Sequence, residues 1–328
     1  MNARRLLILL CPILVVFFIS ACSVFTNRSA PSGRTIDPIV STEWLNANLG
    51  MENLIVIDIR SSKDYAAGHI PGSISEPFQT KMDPCTGPGS NWVVGSEDCL
   101  WLQVPDTDDL FDTIGMLGIT RDSKVVLVSA PNPGEPLFYG LANPTRVAVT
   151  LIYAGVANAA ILDGGYPKWV SEGRTVTEEV PVLTPVTYRG SLDKSMFVTL
   201  GHVRESIGKA VILDARDAHV YSGKVVEPFA DKPGHIPGSE SLPTPWIWRH
   251  NPDGTYTYRK PEMLAKMAST AIGRFADPEG KEIIIYCGVG GYAGAWWFVM
   301  TQELGYENVR IYDGSAQEWS RHYDMVFD

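Results

Sequence analysis

The sequence predicts an α/β protein made of two tandem domains, each a small open parallel sheet flanked by helices. Three observations carry this. Short Val/Ile-rich runs alternate with amphipathic stretches along most of the chain. The runs are continuously apolar, as expected of strands buried on both faces. The motifs along the chain occur twice, in the same order. A length of 328 residues suits two domains. With 27 Lys+Arg against 37 Asp+Glu, the net charge of −10 argues against a nucleic-acid partner.

The first segment reads as an address. Arg4 and Arg5 precede an uncharged stretch from Leu6 to Ala21, interrupted by Pro12. A membrane-spanning helix needs about 20 apolar residues, so residues 1–22 fit a secretion signal better. An uncleaved anchor or an ordinary signal peptide remains open, and either would export the chain. The ending Ile19-Ser-Ala-Cys22 resembles the lipobox of bacterial lipoproteins. That resemblance implies a lipid on Cys22 and anchoring of the exported chain to a bacterial membrane, on its periplasmic or cell-surface side. Residues 23–36 read as a flexible tether.

Domain 1 is expected over 37–175, with strands at Leu54–Ile57, Val125–Val128 and Ala160–Leu162. Domain 2 is expected over 196–328, with strands at Val211–Leu213, Ile283–Tyr286 and Val309–Tyr312. Helices are expected at Pro261–Phe275, where Pro261 suits a first turn, and at Tyr292–Leu304. The Pro-rich segment 176–195 reads as the linker. An exported chain meets an oxidising compartment. There Cys85 and Cys99, which flank a turn-rich loop of about 15 residues, would form a disulfide worth about 3 kcal/mol. Two free buried thiols are the alternative.

The repeats share Asp58-x-Arg60 with Asp214-x-Arg216, and the run Gly68–Ser73 (G-H-I-P-G-S) with Gly234–Ser239. They also share Asp163-Gly164 before Trp169 with Asp313-Gly314 before Trp319. Only the second has a nucleophile. After Ile283–Tyr286 comes Cys287-Gly-Val-Gly-Gly-Tyr292, a glycine-rich turn entering a helix. This sets Cys287 at the carboxyl end of a strand, with its sulfur toward N–H groups of a helix start. Such surroundings are expected to lower the thiol pKa. In the first repeat Ala130 stands at the matching position, so that domain is expected to be silent.

These motifs together resemble the tandem-domain rhodanese (sulfurtransferase) family over about residues 37–328. The resemblance implies two rhodanese-like domains and a persulfide on Cys287. Its partners would be a small sulfur donor, thiosulfate or 3-mercaptopyruvate, and a thiophilic acceptor such as cyanide or a thiol. Neither a cofactor nor a metal is implied. The candidate substrate-binding residues are Gly288, Val289, Gly290, Gly291, Tyr292 and Ala293 of the loop, with Arg216, Trp246 and Arg249. Arg216 has a counterpart in the silent repeat, Arg60, which favours a structural role. His69 and His235 are read as structural for the same reason, and Arg146 as a surface residue. The chain departs from the family at Val220 and at Phe229 after Glu227-Pro228, where arginines are usual. These departures motivate a second reading, a sulfur carrier or binding protein without efficient turnover. A Cys-dependent phosphatase would need Arg where Ala293 stands.

Overall fold

The computed structural model describes residues 33–79, 81–83, 87–96, 98–132 and 137–327. The proposed signal, the lipidation site Cys22 and the proposed disulfide partner Cys85 lie outside these residues. Cys99 falls in a first-domain loop with φ of 57°.

The first repeat runs β1 (Ile39–Val40), α1 (Thr42–Asn48), β2 (Leu54–Asp58), α2 (Ser62–Ala66) and β3 (Ile74–Ser75). A small hairpin, β4 (Lys81–Asp83) and β5 (Gly87–Gly89), precedes α3 (Thr107–Met116) and β6 (Lys124–Val128). α4 (Leu137–Tyr153), β7 (Asn158–Leu162) and α5 (Gly165–Ser171) complete it. The strands form one parallel sheet in the order β1-β7-β6-β2-β3.

The second repeat reproduces this plan. It runs β8 (Phe197–Val198), α6 (Leu200–Ser206), β9 (Val211–Asp214), α7 (Ala218–Tyr221) and β10 (Ser239–Ser241). An insertion carries the hairpin β11 (Trp248–His250) and β12 (Tyr256–Tyr258). α8 (Pro261–Ile272), β13 (Ile283–Tyr286), α9 (Gly291–Phe298), β14 (Val309–Tyr312) and α10 (Ser315–His322) follow. The sheet order, β8-β14-β13-β9-β10, matches the first. Between Ser171 and Lys194 the described chain forms no helix, only an isolated bridge of Thr177 to His69.

The continuous apolar runs are explained by two-sided burial. Ile283 and Ile285 of β13 face the large core, while Ile284 and Tyr286 face a second one. The large core is shared by both repeats. It closes where α4 packs on α9. Apart from Gly291, every residue of α9 is buried, as a helix held between a sheet and another helix must be. The expected long helix from Tyr292 differs in detail: α9 starts at Gly291, and Val299–Glu303 widens into a π-turn. α8 stops at Ile272, short of Phe275.

Both Asp-x-Arg pairs make the same contacts. Arg60 Nε and Nη2 donate to the Asp58 carboxylate, and Nη2 also reaches Gly68 O at 2.9 Å. Arg216 does the same with Asp214 and with Gly234 O at 2.7 Å. His69 and His235 stack on Tyr65 and Tyr221, with Nδ1 against the carbonyls of those tyrosines. These four residues tie the G-H-I-P-G-S turns to the sheets.

Candidate active site

β13 lies between β14 and β9, where the connections leave the sheet in opposite directions. Ligands of open α/β sheets bind at such a switch point, beyond the strand ends. Cys287 follows β13 there. Its N–H donates to Ser315 Oγ at 3.2 Å, and its carbonyl accepts from Ala316 N at 2.9 Å, so α10 anchors the start of the loop. Gly290 has φ of 89°, a left-handed conformation that favours glycine. This turn brings Gly290 N to 3.1 Å from Cys287 Sγ, and the N–H groups of Val289 and Ala293 also favour the thiolate. Gly288 is required for a different reason: a Cβ there would lie 2.3 Å from Phe229 and 2.7 Å from Glu227 Oε2.

The sulfur is nevertheless not activated in the way expected from sequence. Burial pushes the Cys287 thiol above its ordinary range, and the nearby Glu227 charge adds to this; together they outweigh the loop N–H groups. Burial also raises Glu227, to about 7, although Arg216 pulls it back. Arg216 Nη1 is 3.8 Å from Glu227 Oε2.

Cys287 opens into a cleft of about 640 Å³ between the two repeats. The second repeat supplies Glu227, Phe229, Gly288, Val289, Gly291 and Tyr292. The first supplies Phe78, Trp101, Leu102, Tyr139 and others. Aromatic rings dominate the walls: Trp101 meets Phe229 at 5.7 Å and Tyr139 meets Tyr292 at 5.1 Å, between centroids. No lysine or arginine is among the described lining residues.

The sequence-predicted residues divide accordingly. Gly288, Val289, Gly291 and Tyr292 line the cleft with Cys287, and Gly290 and Ala293 turn their N–H groups to its sulfur. Arg216 is buried beside the cleft and paired with Asp214. Trp246 lies elsewhere: it is 48% exposed, on a groove with Met263 and Met267. Arg249 is exposed on β11, where its Nε donates to Thr257 Oγ1. Trp246 lies in the turn before the β11–β12 hairpin and Arg249 on its first strand, and neither lines the Cys287 cleft. Val220, at a usual arginine position, is buried in α7.

Arg146 is a correction of another kind. It is not a surface residue but fully buried in α4. It crosses the domain interface to grip Asp313, with Nη1 2.7 Å from Oδ1 and Nη2 2.9 Å from Oδ2. Its Nη2 also donates to Leu102 O at 2.7 Å. Asp313 further accepts from Val104 N at 3.0 Å. The first repeat thereby braces the loop that ends in α10. No sequence signal points to Trp101, Leu102 and Tyr139, because they come from the first repeat, far from Cys287 along the chain.

The register also corrects the match of Ala130 to Cys287: Val128 pairs with Asp58 as Tyr286 pairs with Asp214, and Ser129 O accepts from Tyr166 N as Cys287 O accepts from Ala316 N, so Ser129 stands at the cysteine's position. A duplicated α/β domain with a cysteine loop in its second copy is the class that fold and site define. The chain belongs to the rhodanese-like domain family, whose model matches residues 41–172 and 200–322. A Mycobacterium leprae protein named "Putative thiosulfate sulfurtransferase" is 28% identical over 88% of this chain and 96% of that protein. A Thermus thermophilus protein named "Sulfur carrier protein TtuD" is 30% identical over 86% of this chain and 93% of its own. Among solved structures, the anaerobic ergothioneine biosynthesis enzyme of Chlorobium limicola shares the fold. Its TM-score is 0.68 at 21% identity, over 87% of this chain and 68% of that one.

Proposed function

We propose that this chain is an exported, lipid-tethered sulfurtransferase. It takes a sulfur atom from thiosulfate or 3-mercaptopyruvate onto Cys287 and passes it to cyanide or a thiol. The observation that carries this reading is the Cys287 loop, with Sγ facing a cleft and Gly290 N–H donating to it. Attack of Cys287 Sγ on the outer sulfur of thiosulfate breaks its S–S bond and releases sulfite; attack on the thiol sulfur of 3-mercaptopyruvate breaks its C–S bond, and the carbon fragment leaves with the electron pair as the enolate of pyruvate. Either donor leaves Cys287 as a persulfide. Its negative charge is held by the loop N–H groups, already oriented before the reaction. The resting thiol must lose a proton first. Glu227 is the one carboxylate among the described lining residues and titrates near neutrality, which suits a proton acceptor.

The relatives named for thiosulfate sulfurtransfer support the enzyme reading. A second reading is favoured by the aromatic cleft, with no lysine or arginine among its described lining residues: a sulfur carrier that is loaded but turns over slowly, a carrier role being the one the Thermus relative is named for. Treatment with thiosulfate or 3-mercaptopyruvate should add one sulfur to Cys287, read by mass spectrometry of the intact chain and its peptides, and Cys287→Ser should acquire none. Thiocyanate release from cyanide above the Cys287→Ser background selects the enzyme. Loading without release selects the carrier. Sulfur on neither donor's product sinks both.

The address and the staple belong to the same proposal. Residues 1–22 would direct export, Cys22 would carry the lipid, and Cys85 would pair with Cys99.

A further inference from the structure

The silent repeat has kept its cradle. Ser129 follows β6 as Cys287 follows β13, and a cavity opens above Ser129 and Ala130. This cavity is not separate from the catalytic cleft: Phe78, Gln79, Asn132 and Asn143 line both. Its chemistry is the opposite of its neighbour's. The amides of Asn132 and Asn143 make no side-chain hydrogen bond among the described residues. Each offers donors and an acceptor to a ligand. Arg60 lines it too; Asp58 and Gly68 engage Nε and Nη2 but leave Nη1 without a hydrogen bond. Asp64 adds a carboxylate. An amide-lined space with one guanidinium edge and one carboxylate suits a polar, zwitterionic group. The aromatic cleft beside it suits the body of an organic molecule and a sulfur.

We propose that the empty cradle of the first repeat is a subsite for the sulfur acceptor, a small thiol with an amino-acid or peptide-like tail. The tail lies over Ala130 between Asn132, Asn143 and Arg60, and the thiol reaches Cys287. This rests on the persulfide reading above. The acceptor thiolate attacks the outer sulfur of the Cys287 persulfide, and the bond between the two sulfurs breaks. The electron pair stays on Cys287 Sγ, which takes up the proton given up by the acceptor thiol. The product is the acceptor persulfide, and no outside oxidant or reductant enters.

The test uses the full chain, preloaded with sulfur, and two acceptors. Glutathione has a peptide tail; cyanide has none and needs no subsite. Ala130→Leu fills the cavity from a residue that does not line the Cys287 cleft. The ratio of kcat/KM for glutathione to that for cyanide should fall by about tenfold or more, the size of losing two hydrogen bonds. S-methylglutathione, which has the tail without the thiol, should compete with glutathione in the wild type and weaken by a similar factor in the variant. Cyanide turnover reports that the variant is folded. A loaded protein whose ratio stays within about twofold of wild type overturns the subsite alone. A wild type that never loads sulfur on Cys287 overturns the functional reading and the subsite with it.

Discussion

Replacing Glu227 with Gln tests whether a buried carboxylate sets the behaviour of the cleft. Glu227 is 14% exposed, and its carboxyl titrates at about 7 in the folded chain against an ordinary value of 4.5. Between those values the folded chain keeps a proton that the unfolded chain has lost. Stability due to this group is therefore undiminished below pH 4.5 and falls as pH rises toward 7 and beyond. The full interval corresponds to about 3 kcal/mol, of which about 2.5 kcal/mol lies between pH 5 and pH 8. Glu227→Gln removes that dependence. Asp163, which burial raises to about 6, has the same sign; it is present in both proteins and cancels in the difference. Urea unfolding of wild type and variant at pH 5 and pH 8 reads the effect directly. The wild type should lose about 2.5 kcal/mol more than the variant across that range. The same change removes a charge that holds the Cys287 thiol up, so iodoacetamide should modify Cys287 several-fold faster in the variant at pH 8. Parallel pH dependences, with equal alkylation rates, would refute the reasoning.

Two further outcomes follow from the packing. Arg146→Met strands the buried Asp313 carboxylate and should cost about 3–5 kcal/mol in urea unfolding. Adding Asp313→Asn should recover part of that, and a cost under about 1 kcal/mol would mean the pair is not load-sharing between the repeats. Gly288→Ala drives a methyl into Phe229 and Glu227, displacing the cleft wall. Sulfur loading on Cys287, followed by mass, should slow by about tenfold or more, and stability should drop by about 1–3 kcal/mol. Wild-type loading would show that Phe229 yields freely.

Much of this architecture is written in local pattern. The strand runs at Leu54, Val125, Val211 and Ile283 are legible because two-sided burial forces unbroken apolar sequence. The Cys287 turn is legible because its glycines have no other use. What stayed hidden depends on contacts between distant segments. Arg146 reads as an ordinary arginine until α4 is laid against α9, and Trp101 reads as a loop aromatic until its N–H meets Gln317 at 2.8 Å. Nearness in sequence to the second repeat's motifs does not bring Trp246 and Arg249 to the cleft, because it says nothing about where a hairpin turns. The thiol's titration is not legible in the motif, because helix-start N–H groups are visible there, whereas burial is a property of the assembled core.

The grip of Arg146 on Asp313 also constrains how such a chain can change over generations. A duplicated copy without the cysteine is ordinarily free to drift or to be deleted. Here deletion would leave an aspartate under the working loop with no counter-charge, and would strip Trp101 and Tyr139 from the wall facing Cys287. The first copy is held in place by the packing of its twin. The smallest inheritable unit of the site is therefore the pair.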